Sequence, residues 1–200
     1  MTLRFAADNL AHSFGTKNIF SEITFAAAGG ETVAITGRNG SGKSTLCRIC
    51  AGLLTPCGGE IYLMSDGVKF PLAPSPHVGF ISPDLRWYGE LTARENIDFV
   101  MRSDHEREVA FNLAREFRID DVIDSPVSQF SSGMRQRLSL SAVFASDCAL
   151  RILDEPSAHL DDEGRETLLK LIQKTEKSIT IIATHVESEI CLAQRRIHLG

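Results

Sequence analysis

The chain reads as an α/β fold built around a phosphate-binding loop, and three stretches predict it. The apolar run Thr32-Val33-Ala34-Ile35 leads into Gly37-Arg38-Asn39-Gly40-Ser41-Gly42-Lys43-Ser44-Thr45, followed by a helical segment, Leu46-Cys47-Arg48-Ile49-Cys50. A second apolar run, Leu150-Arg151-Ile152-Leu153, ends in Asp154-Glu155-Pro156. A third, Ser178 to Ala183, ends in Thr184-His185. Strand, glycine loop and helix in that order are the context a phosphate-binding loop requires. In open parallel sheets, ligands bind beyond the carboxyl ends of the strands, where loop, acids and histidine would meet.

Each residue type suits that chemistry. Glycines let successive backbone N–H groups converge on phosphate oxygens without Cβ clashes. A helix starting near Lys43 adds the positive end of its dipole. Lys43 would reach the β- and γ-phosphates, and the Ser44 hydroxyl would hold Mg²⁺. Asp154 would order the metal shell opposite Ser44, while Glu155 would polarise the attacking water. A lone histidine is more often structural, but at this strand end His185 could hydrogen-bond a γ-phosphate. Arg151, odd inside a buried strand, is expected near the strand's start with its head in solvent.

The remaining elements follow in order. Residues 1–30 alternate apolar and polar positions and read as short strands, with His12-Ser13-Phe14-Gly15 as a turn. Phe14 could stack on an adenine ring, an interaction of about 1–3 kcal/mol; taken alone, an aromatic at a strand end reads as core. A β segment is expected near Ile61-Tyr62-Leu63, after Gly58-Gly59-Glu60. Pro71, Pro74 and Pro76 make residues 66–77 a loop on which helix or strand cannot run. A strand is expected over His77 to Ile81. Thr92-Ala93-Arg94-Glu95 and Ser103-Asp104-His105-Glu106 both fit the capping box, predicting two helix starts. Val109, Ala110, Leu113, Ala114 and Phe117 then share one apolar helical face. This segment reads as a small helical lobe inserted in the α/β domain. Asp120, Asp121 and Asp124 lack the turn glycine and spacing of a metal loop and read as solvated. Phe130-Ser131-Ser132-Gly133-Met134 opens another helix, a weak anion-site signal. Glu166 to Lys174 reads as an amphipathic helix, and Ser178 to Ala183 as the final strand.

Composition narrows the function classes. A net charge of −5 over 200 residues gives no global basic field for nucleic acid. No uncharged apolar run approaches the roughly 18 residues of a membrane span, and the N-terminus does not resemble a signal peptide. A membrane role would come through a partner. Five cysteines are an odd count for a disulfide framework. Cys47 and Cys50 could be a redox or metal pair, but without a second ligand pair nearby they read as small core side chains.

Taken together and in this order, the motifs resemble the ATP-binding subunit of ABC transporters over essentially the whole chain. Gly37 to Thr45 is similar to that family's Walker A motif, and Leu150 to Glu155 to its Walker B with the catalytic glutamate. Ser157-Ala158-His159-Leu160-Asp161 resembles the D-loop, Thr184-His185 the switch histidine, and Leu91 to Ile97 the opening of the helical subdomain. Phe14 falls where the family places its adenine-stacking aromatic. The signature, usually Leu-Ser-Gly-Gly-Gln, is here Phe130-Ser131-Ser132-Gly133-Met134, followed by Arg135-Gln136-Arg137. The family's Q-loop glutamine is absent, its position falling at Pro83, followed by Asp84, a candidate outer-shell Mg²⁺ ligand.

The resemblance implies a P-loop NTPase core with an N-terminal antiparallel β subdomain and an inserted α-helical subdomain. The whole chain, 1–200, is then one cassette, with core residues 1–84 and 139–200 and helical residues 85–138. It implies ATP and Mg²⁺ as ligands, with hydrolysis served by Lys43, Glu155 and His185. It further implies a homodimer or heterodimer of cassettes, in which Ser131, Ser132, Gly133 and Met134 of one copy meet ATP held by the other. The cassettes would dock on separately encoded transmembrane subunits, at the cytoplasmic face of the membrane, with no nucleic-acid partner expected. The chain's brevity resembles compact export subunits, including the haem-exporter type of cytochrome c maturation. The competing class, a soluble ABC ATPase acting on ribosomes or DNA, usually carries two cassettes or a coiled-coil insertion. A regulator without turnover is disfavoured by Glu155 and His185.

Overall fold

The structure, a computed structural model, describes residues 3–70, 72, 77–175 and 177–200. Its contacts divide the chain into two compact units: residues 1–80, 148–155 and 172–200, and residues 81–147 with 156–171.

The first unit holds two sheets. β1 (Leu3–Phe14), β2 (Lys17–Ala28), β4 (Gly58–Ser65) and β5 (Val68–Phe70) form an antiparallel sheet in the order β2-β1-β4-β5. The short strands expected over residues 1–30 are instead two strands of twelve residues, and the turn falls at Gly15-Thr16, after Phe14. Register shifts along β1 and β2, with Asn9 and Glu22 at positive φ, break the alternation that sequence reading follows. The loop expected over 66–77 is corrected in part. Asp66 and Gly67, both at positive φ, turn the chain into β5, which pairs back on β4. Pro71, Pro74 and Pro76 lie outside the described residues.

The other sheet is parallel where its registers are defined, with strand order β6-β7-β8-β3-β9, from β3 (Thr32–Gly37), β6 (Val78–Ile81), β7 (Leu150–Asp154), β8 (Ile179–Ala183) and β9 (Arg195–Leu199). β7 and β8 are buried at every position, as strands covered on both faces must be. The register carries the site: Asp154 lies opposite Ala183, and Ala183 opposite Ile35. The ends of β7, β8 and β3 therefore stand level. Two further hydrogen bonds extend the alignment, Glu155 N–H to Ala183 O at 2.9 Å and Thr184 N–H to Ile35 O at 3.1 Å. β8 is not the last strand, because β9 follows at the sheet edge beside β3.

The helix α1 (Lys43–Cys50) packs Leu46, Cys47, Ile49 and Cys50 into the core of this unit. Burial pushes the Cys47 and Cys50 thiols well above their ordinary range, and Asp154 adds to the rise at Cys47. Both side chains are wholly buried in that core, as the packing reading of this pair expects. Arg151 corrects its expectation: it is buried, and its guanidinium donates to Thr175 Oγ1 at 3.4 Å.

The second unit contains α2 (Ala93–Val100), α3 (Asp104–Glu116), α4 (Ser132–Ala145) and all but the end of α5 (Asp162–Gln173). The expected boundary at residue 138 falls inside α4, which lies wholly in this unit. Ala110, Leu113, Ala114 and Phe117 are buried as the helical spacing predicts. Thr92 and Glu95 form a complete capping box on α2. At α3 only half the box forms. Ser103 accepts from the Glu106 N–H, but the Glu106 carboxylate turns instead to the N–H groups of Arg102 and Asp147, at 2.7 and 2.9 Å. Asp120 and Asp124 make surface ion pairs with Arg115 and Arg94. Among the described residues no helix is long and apolar enough to cross a membrane.

Glu106 is buried, which pushes its carboxyl up; the Asp147 and Arg102 N–H groups and the Arg102 guanidinium outweigh that and leave it below the usual range. Its contribution to stability is complete above the unfolded value of about 4.3 and is lost as pH falls through the lower folded value. Glu106→Gln is expected to cost about 2 kcal/mol, since bonds to a charged acceptor are worth about 1.5–3. Thermal unfolding at pH 7 and in mild acid checks this. The deficit should be several degrees at pH 7 and should shrink below pH 4.

Candidate functional site

At the level strand ends an open cleft of about 290 Å³ is lined by Ile19 and, of the sequence-predicted residues, by Asn39, Gly40, Gly42, Lys43, Ser44, Thr45 and Glu155. The loop's shape depends on missing side chains. A Cβ on Gly37 would lie 2.2 Å from Leu199 O and 2.6 Å from Ser41 Oγ, and one on Gly42 would lie 2.5 Å from Ile19 Cγ2. Gly42 also holds φ +100, a conformation open to glycine at little cost. It is the N-cap of α1, with no side-chain cap and no acid in the first turn. The first N–H groups of α1 are thus left for a ligand, and an anion is the ligand the dipole favours.

Lys43 is buried, and its Nζ donates to Gly37 O at 3.1 Å and Arg38 O at 3.4 Å. These bonds arch the side chain back over the loop. The same ammonium stands 3.8 Å from Glu155 Oε1, and His185 Nδ1 lies 2.9 Å from Glu155 Oε2. Glu155 is held at φ 51, a left-handed conformation that costs a non-glycine residue about 1–2 kcal/mol. The 2.9 Å bond from its own N–H to Ala183 O fixes it there. Carboxylate, ammonium and imidazole are therefore joined by contacts within one unit.

Asp154 is almost wholly buried. The Ser44 hydroxyl hydrogen-bonds its carboxylate, while Oδ1 has no partner among the described residues. Burial holds its carboxyl above the ordinary aspartate range; the Ser44 bond opposes this and the charge of Glu155 adds to it. A hydroxyl and a buried carboxylate with an unused oxygen are hard oxygen donors, a set that fits Mg²⁺.

Phe14, which taken alone reads as core and by the resemblance as the adenine-stacking aromatic, is not core. At 53% exposure it stands free of the core, its ring T-shaped against His12 at 4.7 Å. Ser131, Ser132, Gly133, Met134, Asp161 and Asp84 lie in the second unit. Ser131 caps α4, its hydroxyl accepting the Met134 N–H at 3.2 Å. Gly133 lies against the D-loop, since a Cβ there would be 2.8 Å from His159 O. Asp161 accepts from the Gly164 N–H at 2.9 Å and from Arg137 at 2.6 Å, which together hold its carboxyl below the usual range. Asp84 occupies an exposed turn. Ile19 is the cleft residue that sequence reasoning missed. Nothing in its local pattern distinguishes it from any other strand isoleucine.

Fold and site define an α/β nucleotide-binding cassette. Residues 20–158 match the family model described as ABC transporter. The chain is 31% identical to the energy-coupling factor transporter ATP-binding protein EcfA1 of Mycoplasma mobile, over 94% of this chain and 73% of that protein. It is 32% identical to the cytochrome c biogenesis ATP-binding export protein CcmA of Brucella abortus, over 92% and 86% respectively. A solved ATP-binding subunit of an ABC transporter superposes with a TM-score of 0.86 at 25% identity, over 98% of this chain and 85% of that one. The chain belongs to the ABC transporter family, as one of its ATPase cassettes.

A buried carboxylate with an unused oxygen is a cost the fold carries. Asp154→Asn is expected to raise the melting temperature of nucleotide-free protein at pH 7 by roughly 2–4 °C, equivalent to about 1 kcal/mol in a chain of this size. The folded carboxyl sits above its unfolded value, so the charge penalty is complete above the folded pKa and disappears below the unfolded one. Scanning calorimetry should therefore show the gain vanishing as pH falls through that window.

Proposed function

We propose that this cassette binds and hydrolyses Mg²⁺-ATP to energise transport through separate membrane subunits. The observation that carries the reading is the meeting of Lys43, Glu155, His185 and the open N-terminus of α1 around one cleft. In this reading Phe14 takes the adenine ring, and residues Gly37 to Thr45 cradle the phosphates. Lys43 exchanges its loop carbonyls for phosphate oxygens, which a mobile ammonium can do without moving the backbone. Ser44 and Asp154 would hold Mg²⁺, which supplies charge neutralisation at the phosphates when bound. Glu155 accepts a proton from the attacking water, and His185 orients that carboxylate and the γ-phosphate.

The second half of the site comes from another copy. Ser131, Ser132, Gly133 and Met134 open α4; the Ser131 cap takes the Met134 N–H, and the N–H groups of Ser132 and Gly133 at the same helix start suit a γ-phosphate presented by a two-fold related cassette. Asp161 helps to set that interface. ATP then favours the closed pair and hydrolysis releases it, giving two states that a membrane partner can follow. Export at the cytoplasmic face is the direction we favour, supported by the similarity to a protein named for export.

Glu155→Gln is expected to retain ATP binding while slowing turnover at least about a hundredfold, the usual worth of a general base, and to accumulate as an ATP-bound dimer. Steady-state phosphate release and gel filtration with ATP check both; normal turnover would remove Glu155 from the mechanism. The transport reading is tested by pulling the tagged chain from detergent-solubilised native membranes. Co-purification of a membrane-spanning protein without its own ATP site is expected. Recovery only with ribosomes or DNA would replace transport with a soluble ATPase role.

A further inference from the structure

We propose that Cys57 and His12 form a thiol–disulfide exchange site for low-molecular-weight disulfides, set beneath Phe14. Cys57 immediately precedes β4, and its N–H donates to Ala11 O of β1 at 2.9 Å, which fixes the residue beside His12 and Ser13. Its Sγ lies 3.6 Å from His12 Nδ1 and 3.8 Å from Ser13 Oγ. Cys57 is exposed, whereas Cys47, Cys50 and Cys148 are buried.

The His12 ring is 95% removed from solvent, and its buried Nε2 has no partner among the described residues. A proton on that nitrogen would be an orphaned buried donor, which is costlier and rarer than an orphaned acceptor. The neutral ring therefore carries its proton on Nδ1, where it points at the Cys57 sulfur. The thiol itself donates to Ser13 O at 3.7 Å; once that proton has left, the Ser13 hydroxyl can turn a second donor to the sulfur. Two donors thus converge on one accessible sulfur, where negative charge must sit during exchange. The exposed Cys191 offers the contrast. Its Sγ lies 3.9 Å from a Glu187 carboxylate oxygen, which disfavours the same charge.

The reaction balances without another reagent. The Cys57 thiol gives its proton to solvent and its sulfur attacks one sulfur of the disulfide. The Cys57–S bond forms as the reagent's S–S bond breaks, and the departing thiolate takes up a proton. Cys57 is oxidised to the mixed disulfide, and half of the reagent is reduced.

An adduct has a route to the cleft. His12 packs edge-on against Phe14 and lies 6.4 Å from the Phe20 ring, and Phe20 Cδ1 is 3.3 Å from where a Cβ on Gly42 would stand. A substituent on Cys57 displaces His12 and, through it, the support of Phe14. The resulting loss of ATP affinity rests on the nucleotide reading above; the exchange chemistry does not.

The test incubates the full chain with oxidised glutathione and follows adducts by peptide mass mapping. Cys57 is expected to react about tenfold faster than Cys191, the worth of one charge-assisted hydrogen bond, and to fall to the Cys191 rate in His12→Leu. Equal rates in the parent protein, or an unchanged Cys57 rate in that variant, would overturn the proposal. Should His12→Leu fail to fold by circular dichroism, Ser13→Ala replaces it, with a slowing of about threefold expected and an unchanged rate counting against the site. Binding of a fluorescent ATP analogue is measured before and after modification, with Cys57→Ser as the unmodifiable control. Weaker binding only in the modified parent supports the coupling, and unchanged binding rejects it. If the unmodified protein binds no ATP analogue, the nucleotide reading fails, while the exchange rates still decide the thiol site.

Discussion

The parallel register of β7, β8 and β3 is the constraint on which the rest of the cassette depends. Because Asp154, Ala183 and Ile35 stand opposite one another, the three chain exits begin at one height. One exit opens into the glycine loop, one into Glu155 and one into Thr184-His185. A slip of one residue would turn every side chain of the slipped strand to the other face, and Asp154 would leave Ser44. The strands are buried at nearly every position, so register is held by packing on both faces as well as by the ladder. The chemistry is positioned by the core.

That core accepts unfavourable features at the cleft. Asp154 is a buried acid with an unused oxygen, Ser41 has a buried hydroxyl without a partner among the described residues, and Glu155 sits at positive φ. Each would be removed by selection for stability alone. All three border the place where an anion and a divalent cation fit, and they are the local violations that functional sites carry and packing elsewhere offsets. In the second unit the same logic is milder. Ser131 and Thr92 spend their hydroxyls on caps, and Arg137 ties Asp161 to the Phe117 carbonyl, leaving few polar groups uncommitted there.

Much of this was legible in the sequence because motif and element coincide. The loop from Gly37 to Thr45 lies between β3 and α1, the acids close β7, and Thr92 and Ser103 cap helices where their hydroxyls predict them. The misreadings have separate physical causes. β9, Arg195-Arg196-Ile197-His198-Leu199, is an edge strand with three polar residues facing solvent, so hydrophobic pattern cannot mark it. β5 was signalled by Asp66-Gly67, a hairpin turn pair hidden beside a proline-rich stretch. The end of β1 is hard to place from the sequence because bulges shift its alternation. Arg151 was expected to reach solvent, but the burial of β7 leaves its guanidinium to a neighbouring threonine. Glu106 left its own helix for Asp147, forty-one residues away, a partner no local pattern names.

The parallel ladder also sets an order of events during synthesis. β3 and its loop leave the ribosome more than a hundred residues before β7 and β8, the strands that bring Asp154, Glu155 and His185. Pairings so far apart in sequence form late, because chain-closure entropy is spent before the contacts return it. A nascent chain displaying the glycine loop therefore lacks the acids until β7 has followed and the imidazole until β8 has. In the proposed mechanism hydrolytic competence waits for β8 to join the sheet, so a cassette stalled before it has no means of spending ATP to no purpose.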